Sequence, residues 1–198
     1  MIIAKLPMRG FSNAHELEKT NSQFRQRAEL EKGESGMKWI IAIAFYFLYW
    51  GICFLCTGTD KKNLIGLRSY PDAVQSVVRE KITEGVPENK SIPSILLGNL
   101  VLFTVVFSII GLIFKSVFAF DGYLSAFRYF LVLGEGLGLF DLLIIDLLWW
   151  RSTKRIRFSF LPEKEPYQDP AKHIGSFVRG IPLFAVIAAL TAGIVTLF

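Results

Sequence analysis

The chain has 198 residues, of which 52% are hydrophobic and 14% aromatic, with a mean hydropathy of +0.42. This apolar content is too high for an ordinary soluble domain, so we expect a lipid bilayer to cover much of the surface. A net charge of +5 would suggest nucleic acid as a partner of a soluble protein. Here the basic residues flank apolar runs, so we expect no nucleic-acid partner.

The first 36 residues are polar and form an N-terminal tail, residues 1–36, ahead of a transmembrane domain, residues 37–198. Lys32-Gly33-Glu34 can be encoded by a purine-rich sequence of the kind that binds ribosomes, at a suitable distance before Met37. We therefore expect translation to start at Met37, in which case the tail is not native. The alternative is an ordinary disordered or loosely helical tail over residues 14–31. A peptide beginning at Met1 would contradict the internal start.

Four apolar runs follow, at residues 39–56, 92–118, 127–150 and 180–198. Each is near or above the roughly 20 residues that an α-helix needs to cross the hydrocarbon core. None alternates like a barrel strand, so the pattern predicts an all-α integral membrane bundle of four transmembrane helices. The second run is longer than required and is expected to tilt or to leave the bilayer near Lys115. A tight connection at residues 121–123 predicts an antiparallel hairpin of the second and third helices.

The distribution of basic residues over the loops predicts the membrane topology. Thirteen of the 22 Lys and Arg residues lie in the first loop, residues 57–91, and the third loop, residues 151–179. The positive-inside rule then places these two loops in the cytoplasm and both termini outside. The basic cluster directly after Trp149 and Trp150 contributes most to this assignment.

The first loop contains a predicted amphipathic helix over residues 72–84, with Pro71 at its start and Val74, Val78 and Ile82 at helical spacing. Two interpretations are open: an anchor lying on the cytoplasmic membrane surface, or a helix that docks a soluble partner. The third loop is interrupted by three prolines, which predicts an extended, solvated connection. We expect His173 in that loop to be a surface residue, although Asp169 could orient its imidazole.

Three carboxylates lie inside the third apolar run, and ionisable groups in a membrane are costly enough to suggest function. At about 100° per residue, Glu135 and Asp146 nearly share a helix face, while Asp141 points elsewhere. With Lys115 and Asn99 of the preceding helix, they are candidates for an ion or proton site. The competing interpretation is that they form structural hydrogen bonds between helices.

Small residues in the last two spans predict close helix packing. Gly134 and Gly138 form a small-x-x-x-small face, and the last span offers a matching face of Ala185, Ala189 and Gly193. Cys53 and Cys56 are expected to be packing residues. We find no nucleophile–base pair, metal signature or phosphate loop, so we expect no enzyme activity, metal or cofactor.

The segments FDLLIIDLLWWR at residues 140–151, KRIR at 154–157 and YQDPAKHI at 167–174 resemble uncharacterised bacterial membrane proteins that are sometimes labelled ABC-transporter permeases. The resemblance implies a multi-pass protein of the bacterial cytoplasmic (inner) membrane. The leading hypothesis is a small membrane subunit or scaffold of a transport-type complex, with a protein partner at its cytoplasmic loops. The alternative is a proton- or ion-coupled transporter that acts as a homo-oligomer through its intramembrane carboxylates.

Overall fold

A computed structural model describes residues 10–82, 84–88 and 91–198 and is all-helical over that part of the chain. The all-α class is therefore confirmed. Two short 3₁₀ turns lie at Leu67–Ser69 and Glu165–Tyr167. The α-helices are α1 (Gly10–Leu55), α2 (Asp60–Ile65), α3 (Asp72–Lys81), α4 (Ile92–Ile113), α5 (Lys115–Phe118), α6 (Gly122–Phe140) and α7 (Ala171–Leu197).

Among the described residues, three helical segments are long and apolar enough to cross a membrane: Gly36–Leu55 within α1, Ile92–Ile113 and Glu165–Leu197. Their length and composition indicate a helical membrane protein. The start of α4 agrees with the predicted second span, but the helix ends at Ile113 and a separate short helix, α5, follows. Ala119, with φ of 41°, and Gly122, with φ of 74°, then reverse the chain into α6.

The chain divides into two compact units, Met1–Ile41 and Ala42–Phe198, and α1 contributes to both. In the first unit the chain is helical from Gly10 onward, so much of the predicted polar tail is helix. Residues 1–9, at the start of that tail, lie outside the described residues.

The predicted third span is one continuous helical segment with two kinds of winding. After Phe140, α6 continues without interruption into a π-helix, Asp141–Trp150. A π-helix pairs residue i with residue i+5 and so has more residues per turn than an α-helix. Side chains on either side of Phe140 therefore follow different angular periods, which changes the faces that the acidic residues occupy.

α7 packs along α6 and α4, and the three helices enclose the main core. At Gly111, helix α4 lies close to both α7 and α6. A Cβ atom added there would lie 2.5 Å from Val195 and 2.8 Å from Phe130. Phe107 fills the centre and stacks on Phe130 and Phe184. The buried residues of this core are Ala42, Phe107, Ala126, Phe130, Leu133, Leu137, Phe184, Ile187, Ala188, Ala192 and Val195.

The glycine face of α6 packs against an aromatic ring. A Cβ at Gly134 would lie 2.7 Å from Cδ1 of Phe184, and one at Gly138 would lie 3.6 Å from the same ring. The expected partner, the small-residue face, is not in this position. A Cβ added at Gly193 would meet no described atom within 4 Å, so this glycine does not mark a close approach of two helices. Ala185 and Ala189 are half-buried, whereas Ala192 is fully buried.

Helix α1 joins the core through aromatic side chains. The hydroxyl of Tyr46 donates a hydrogen bond to the Leu133 carbonyl at 3.0 Å, and its ring stacks on Phe140. A side chain at Gly136 would overlap the Tyr46 hydroxyl. The glycine therefore leaves the space that this hydrogen bond between α1 and α6 requires.

A second core lies in the first and third loops, which fold together into a unit that we call the cap. Its buried residues are Leu67, Tyr70, Val74, Val78, Trp150, Ile156, Phe158 and Tyr167. Helix α3 forms with Asp72 in its first turn and Arg79 and Lys81 in its last, which suits the helix dipole. The predicted membrane anchor is wrong, because Val74 and Val78 have no exposed surface and pack against the third loop.

The third loop is likewise not an extended, solvated connection. Its prolines prevent a long helix, but aromatic and aliphatic side chains between them are buried in the cap. Backbone groups in the cap are paired by buried side chains. Tyr70 donates to the Ile156 carbonyl at 2.7 Å, and Asn63 donates to the carbonyls of Arg155 and Arg157 while it accepts from the Gly58 amide.

The cap also closes the C-terminus of α1. Lys62 donates to the Leu55 carbonyl at 2.8 Å, and Arg155 donates to the Phe54 carbonyl at 3.1 Å. The Arg155 guanidinium lies 3.9 Å from the centre of the Phe54 ring. Two cations thus satisfy carbonyls that a helix end leaves without partners, and they complement its negative dipole.

Candidate functional site

A cavity of about 150 Å³ opens between α4, the α6–π segment and α7, on the side of the cap. Its wall combines apolar side chains with a dense set of polar and charged ones. The polar lining residues are Tyr49, Arg68, Asn99, Glu135, Asp141, Asp146, His173, Ser176 and Arg179. All of them belong to the second unit.

All three acidic residues line this cavity, including Asp141. The expectation that Asp141 points elsewhere is wrong, because it assumed α-helical winding. Asp141 and Asp146 are both in the π-helix, where residues five apart are hydrogen-bonded neighbours on adjacent turns. Glu135 precedes Asp141 by six positions, about 9 Å along an α-helix. The acids therefore form a series that runs from the cap side into the bundle.

His173 is buried and pairs with the outermost of these acids. Its Nδ1 lies 2.8 Å from Oδ2 of Asp146, with the two side chains only 7% and 14% exposed. Its ring contacts Trp150 edge-on at 5.6 Å between centroids. The prediction of a surface histidine is wrong because α7 begins at Ala171 and carries His173 into the bundle.

Asp169, the partner suggested by spacing, has a different role. Its carboxylate accepts a hydrogen bond from the Ala171 amide at 2.9 Å, at the beginning of α7. The neighbouring Lys172 pairs with Asp72 of α3 at 2.6 Å. Adjacent residues of α7 therefore join this helix to the cap and to the π-helix.

Three polar side chains of the cavity lack hydrogen-bond partners among the described residues. Glu135, Asp141 and Asn99 form no side-chain hydrogen bond or salt bridge with any residue that the structure describes. Polar groups surrounded by apolar side chains are costly unless a proton, water or ligand satisfies them. Within the described residues, these side chains therefore form none of the hydrogen bonds between helices that a structural role requires.

Two arginines lie at the cap side of the cavity. Arg68 belongs to the cap, while the Arg179 guanidinium bends back along α7, with Nη1 3.3 Å from the Cβ position of Gly175. Both side chains are exposed, and within the described residues neither guanidinium is hydrogen-bonded or ion-paired. The rim beside them is apolar, formed by Ile92, Ile95 and Leu96 of α4 and Ile181 and Leu183 of α7.

Lys115 lies apart from this cavity. It starts α5, at the other end of α4, and its side chain is exposed. It therefore does not pair with Glu135. Cys53 and Cys56 are free thiols, and the described residues contain no cluster of three His, Cys, Asp or Glu side chains suited to a metal ion.

His173, Arg68, Arg179 and Tyr49 were missed by the sequence reasoning. One pattern could have revealed the histidine: His173, Ser176, Phe177, Gly180 and Phe184 recur at helical spacing, which indicates a helix that starts before Gly180. The fold and the site define a helical membrane protein with a charged cavity. No protein family, curated protein sequence or solved structure matches this chain.

Proposed function

We propose that the protein crosses the bilayer four times, through residues 36–55, α4, the α6–π segment and α7, with the cap in the cytoplasm. The cap supports this topology because it joins the first and third loops in one core, which requires both loops to lie on the same side. The excess of basic residues in these loops favours the cytoplasmic side. A bacterial inner membrane is the expected location.

Within that topology the protein acts as a proton- or ion-coupled transporter, and the cavity is its binding site. The observation that carries this proposal is the convergence of Glu135, Asp141 and Asp146 on one cavity. Two of these carboxylates have no hydrogen-bond or salt-bridge partner among the described residues, so a proton or a cation is the natural counter-charge. Apolar walls strengthen that interaction because they lower the local dielectric.

The cavity faces one side of the bundle. Toward the opposite end, Phe107, Phe118, Phe120, Tyr129 and Phe130 pack ring against ring. A bound ion therefore has access from the cap side, and passage across the membrane requires these rings to move or a second copy to complete the path. A homo-oligomer fits this requirement, because four helices alone enclose little space.

Proton uptake into proteoliposomes tests the proposal. Vesicles containing the full chain and the pH dye pyranine receive an inside-negative potassium diffusion potential through valinomycin. We expect protein-dependent acidification, abolished by Asp141→Asn and by Glu135→Gln, and unchanged by Glu163→Gln, an exposed acid of the third loop. The same vesicles are tested for Na⁺ uptake. Rates equal to those of empty vesicles for both ions, or wild-type rates in both cavity variants, would contradict the transporter proposal.

A second candidate function is a membrane subunit of a transport-type complex, and the cap favours it. A folded cap with its own core presents a fixed surface, unlike two flexible loops. Native mass spectrometry after gentle extraction from cells separates the two functions. Co-isolation of another polypeptide supports the subunit, whereas a pure homo-oligomer supports the autonomous transporter.

A further inference from the structure

We infer that the ligand of the cavity is a zwitterion that carries an ammonium group and a phosphate, and that its source is the head group of an aminophospholipid. This inference rests on the proposed function, since it specifies what binds at the proposed cation site. It follows from the placement of opposite charges at different depths and from the apolar rim beside them.

Two arginines are placed to bind the anionic end of the ligand. Arg68 and Arg179 both line the cap side of the cavity, and neither has an ion-pair partner in the described part of the chain. Guanidinium groups bind phosphate through paired, charge-assisted hydrogen bonds. Two of them beside one cavity are therefore suited to a ligand that carries a phosphate group.

The depth of this opening matches that of lipid phosphates. The Arg179 guanidinium reaches back to Gly175, which is two positions after His173, and His173 contacts Trp150. Tryptophan side chains concentrate at the level of the lipid head groups. Given the proposed topology, the Arg179 guanidinium thus lies near the level of lipid phosphates.

Carboxylates deeper in the cavity are placed to bind the cationic end of the ligand. Farther from the cap, Asp141 and Glu135 line the same cavity with no hydrogen-bond or salt-bridge partner in the described part of the chain, and Asn99 adds an amide. Asp146, by contrast, is already paired with His173. An ammonium group that enters past the arginines therefore meets two carboxylates that have no ion-pair partner in the described part of the chain, and it would compete there with a proton or another cation.

The apolar rim of the cavity suits the remaining part of the ligand. Ile92 of α4 and Ile181 of α7 lie at the rim and are 50% and 43% exposed. The apolar surface extends from them into the cavity wall through Ile95, Leu96 and Leu183. A soluble zwitterion needs no such surface. Acyl chains would lie along it while the head group occupies the cavity, so the rim favours a lipid as the source.

Binding of short-chain lipids to the purified full chain tests the inference. The protein in detergent is titrated with dioctanoyl phosphatidylethanolamine, with dioctanoyl phosphatidylglycerol, which lacks the ammonium, and with free phosphoethanolamine, which lacks the chains. Native mass spectrometry and tryptophan fluorescence report binding. We expect the ethanolamine lipid to bind at least about 10-fold more tightly than either of the others.

Two variants and a control locate the two charged ends. Asp141→Asn and Arg179→Gln should each weaken binding of the ethanolamine lipid by about 10-fold or more. Glu163→Gln with Lys164→Gln, both exposed in the third loop, should leave it unchanged. Melting temperatures measured without lipid identify any variant that is misfolded, and Arg179, being exposed, is expected to tolerate its replacement.

The outcomes separate this inference from the transporter proposal. Equal binding of the two lipids, or full binding by both variants, would overturn the inference even if Asp141→Asn abolishes ion uptake. Phosphoethanolamine binding as tightly as the lipid would support the zwitterion but overturn its lipid source. Selective lipid binding without any ion uptake would support the inference and leave the cavity as a lipid site without ion coupling.

Discussion

Two glycines of the bundle allow a direct test of how α6 and α7 pack. A Cβ added at Gly134 meets three atoms of Phe184, at 2.7, 3.0 and 3.1 Å, the last being its Cβ. Contact with a Cβ cannot be relieved by rotating the ring, and Phe103 and Phe107 hold that ring from other sides. Around Gly193 an added Cβ meets nothing within 4 Å.

We therefore expect Gly134→Ala to be less stable than Gly193→Ala. Both replacements gain about 1 kcal/mol of helix propensity, which cancels in the comparison. Overpacking at a core position costs about 1–3 kcal/mol, and this remains as the difference between the two variants. For a domain of this size it corresponds to a melting-temperature gap of roughly 2–12 °C.

Thermal unfolding in detergent, followed by tryptophan fluorescence, measures this gap, and Gly134→Ala/Phe184→Leu is the matched rescue. The double variant should recover part of the loss at position 134, because a smaller side chain leaves room for the methyl group. Equal melting temperatures for the two single variants would refute the packing described for α6 and α7. A lower value for Gly193→Ala would instead support the small-residue face expected from the sequence.

Three further predictions concern the cap and its junction with the cavity. Asn63→Leu should destabilise the cap by at least about 2 kcal/mol, since three backbone groups lose a partner, and hydrogen exchange of cap amides will show whether it does. Burial raises the pKa of Tyr70 above its ordinary value of about 10, so the folded cap retains that proton and loses stability as the pH rises beyond about 10. Tyr70→Phe should reduce the alkaline loss of stability in a pH series of thermal melts, at a cost of about 1 kcal/mol for the bond to Ile156. An unchanged alkaline slope would be inconsistent with this prediction. His173→Gln and Asp146→Asn should each cost about 1.5–3 kcal/mol and be non-additive in a double-mutant cycle, whereas additive losses would mean that the two residues act separately.

Local hydropathy located the long apolar helical segments but not all of their ends, nor the short helices. The start of α4 at Ile92 and the helical character of residues 127–150 follow from the length and polarity of the apolar runs. The beginning of α7 was placed too late, at residue 180 instead of Ala171, because charged and small residues lower the hydropathy of its first turns. A helix that starts outside the hydrocarbon has no reason to be apolar there.

The site was predicted in part, and its geometry depended on two features that are not local. The three acids were recognisable as costly residues in an apolar run. Their convergence depends on the π-winding from Asp141 onward, which periodicity arguments at 100° per residue do not include. The two arginines and His173 reach the cavity only because the cap and the first turns of α7 fold over it. The valines of α3 illustrate the same limit, because an amphipathic helix looks alike whether lipid or protein covers it.

The cap has a consequence for the synthesis of the chain. Its two halves are far apart in sequence: Tyr70 and its acceptor at Ile156 are separated by 86 positions. At about 5–20 residues per second, the half that contains α3 waits roughly 4–17 s for the other half to emerge from the ribosome. During that interval Val74 and Val78 lack the third-loop side chains that pack against them, and the membrane surface is an apolar environment close by. Helix α3 is thus suited to anchor the nascent chain on the membrane surface, although it has no such role in the folded protein. The third loop would displace lipid from the two valines once it has been synthesised.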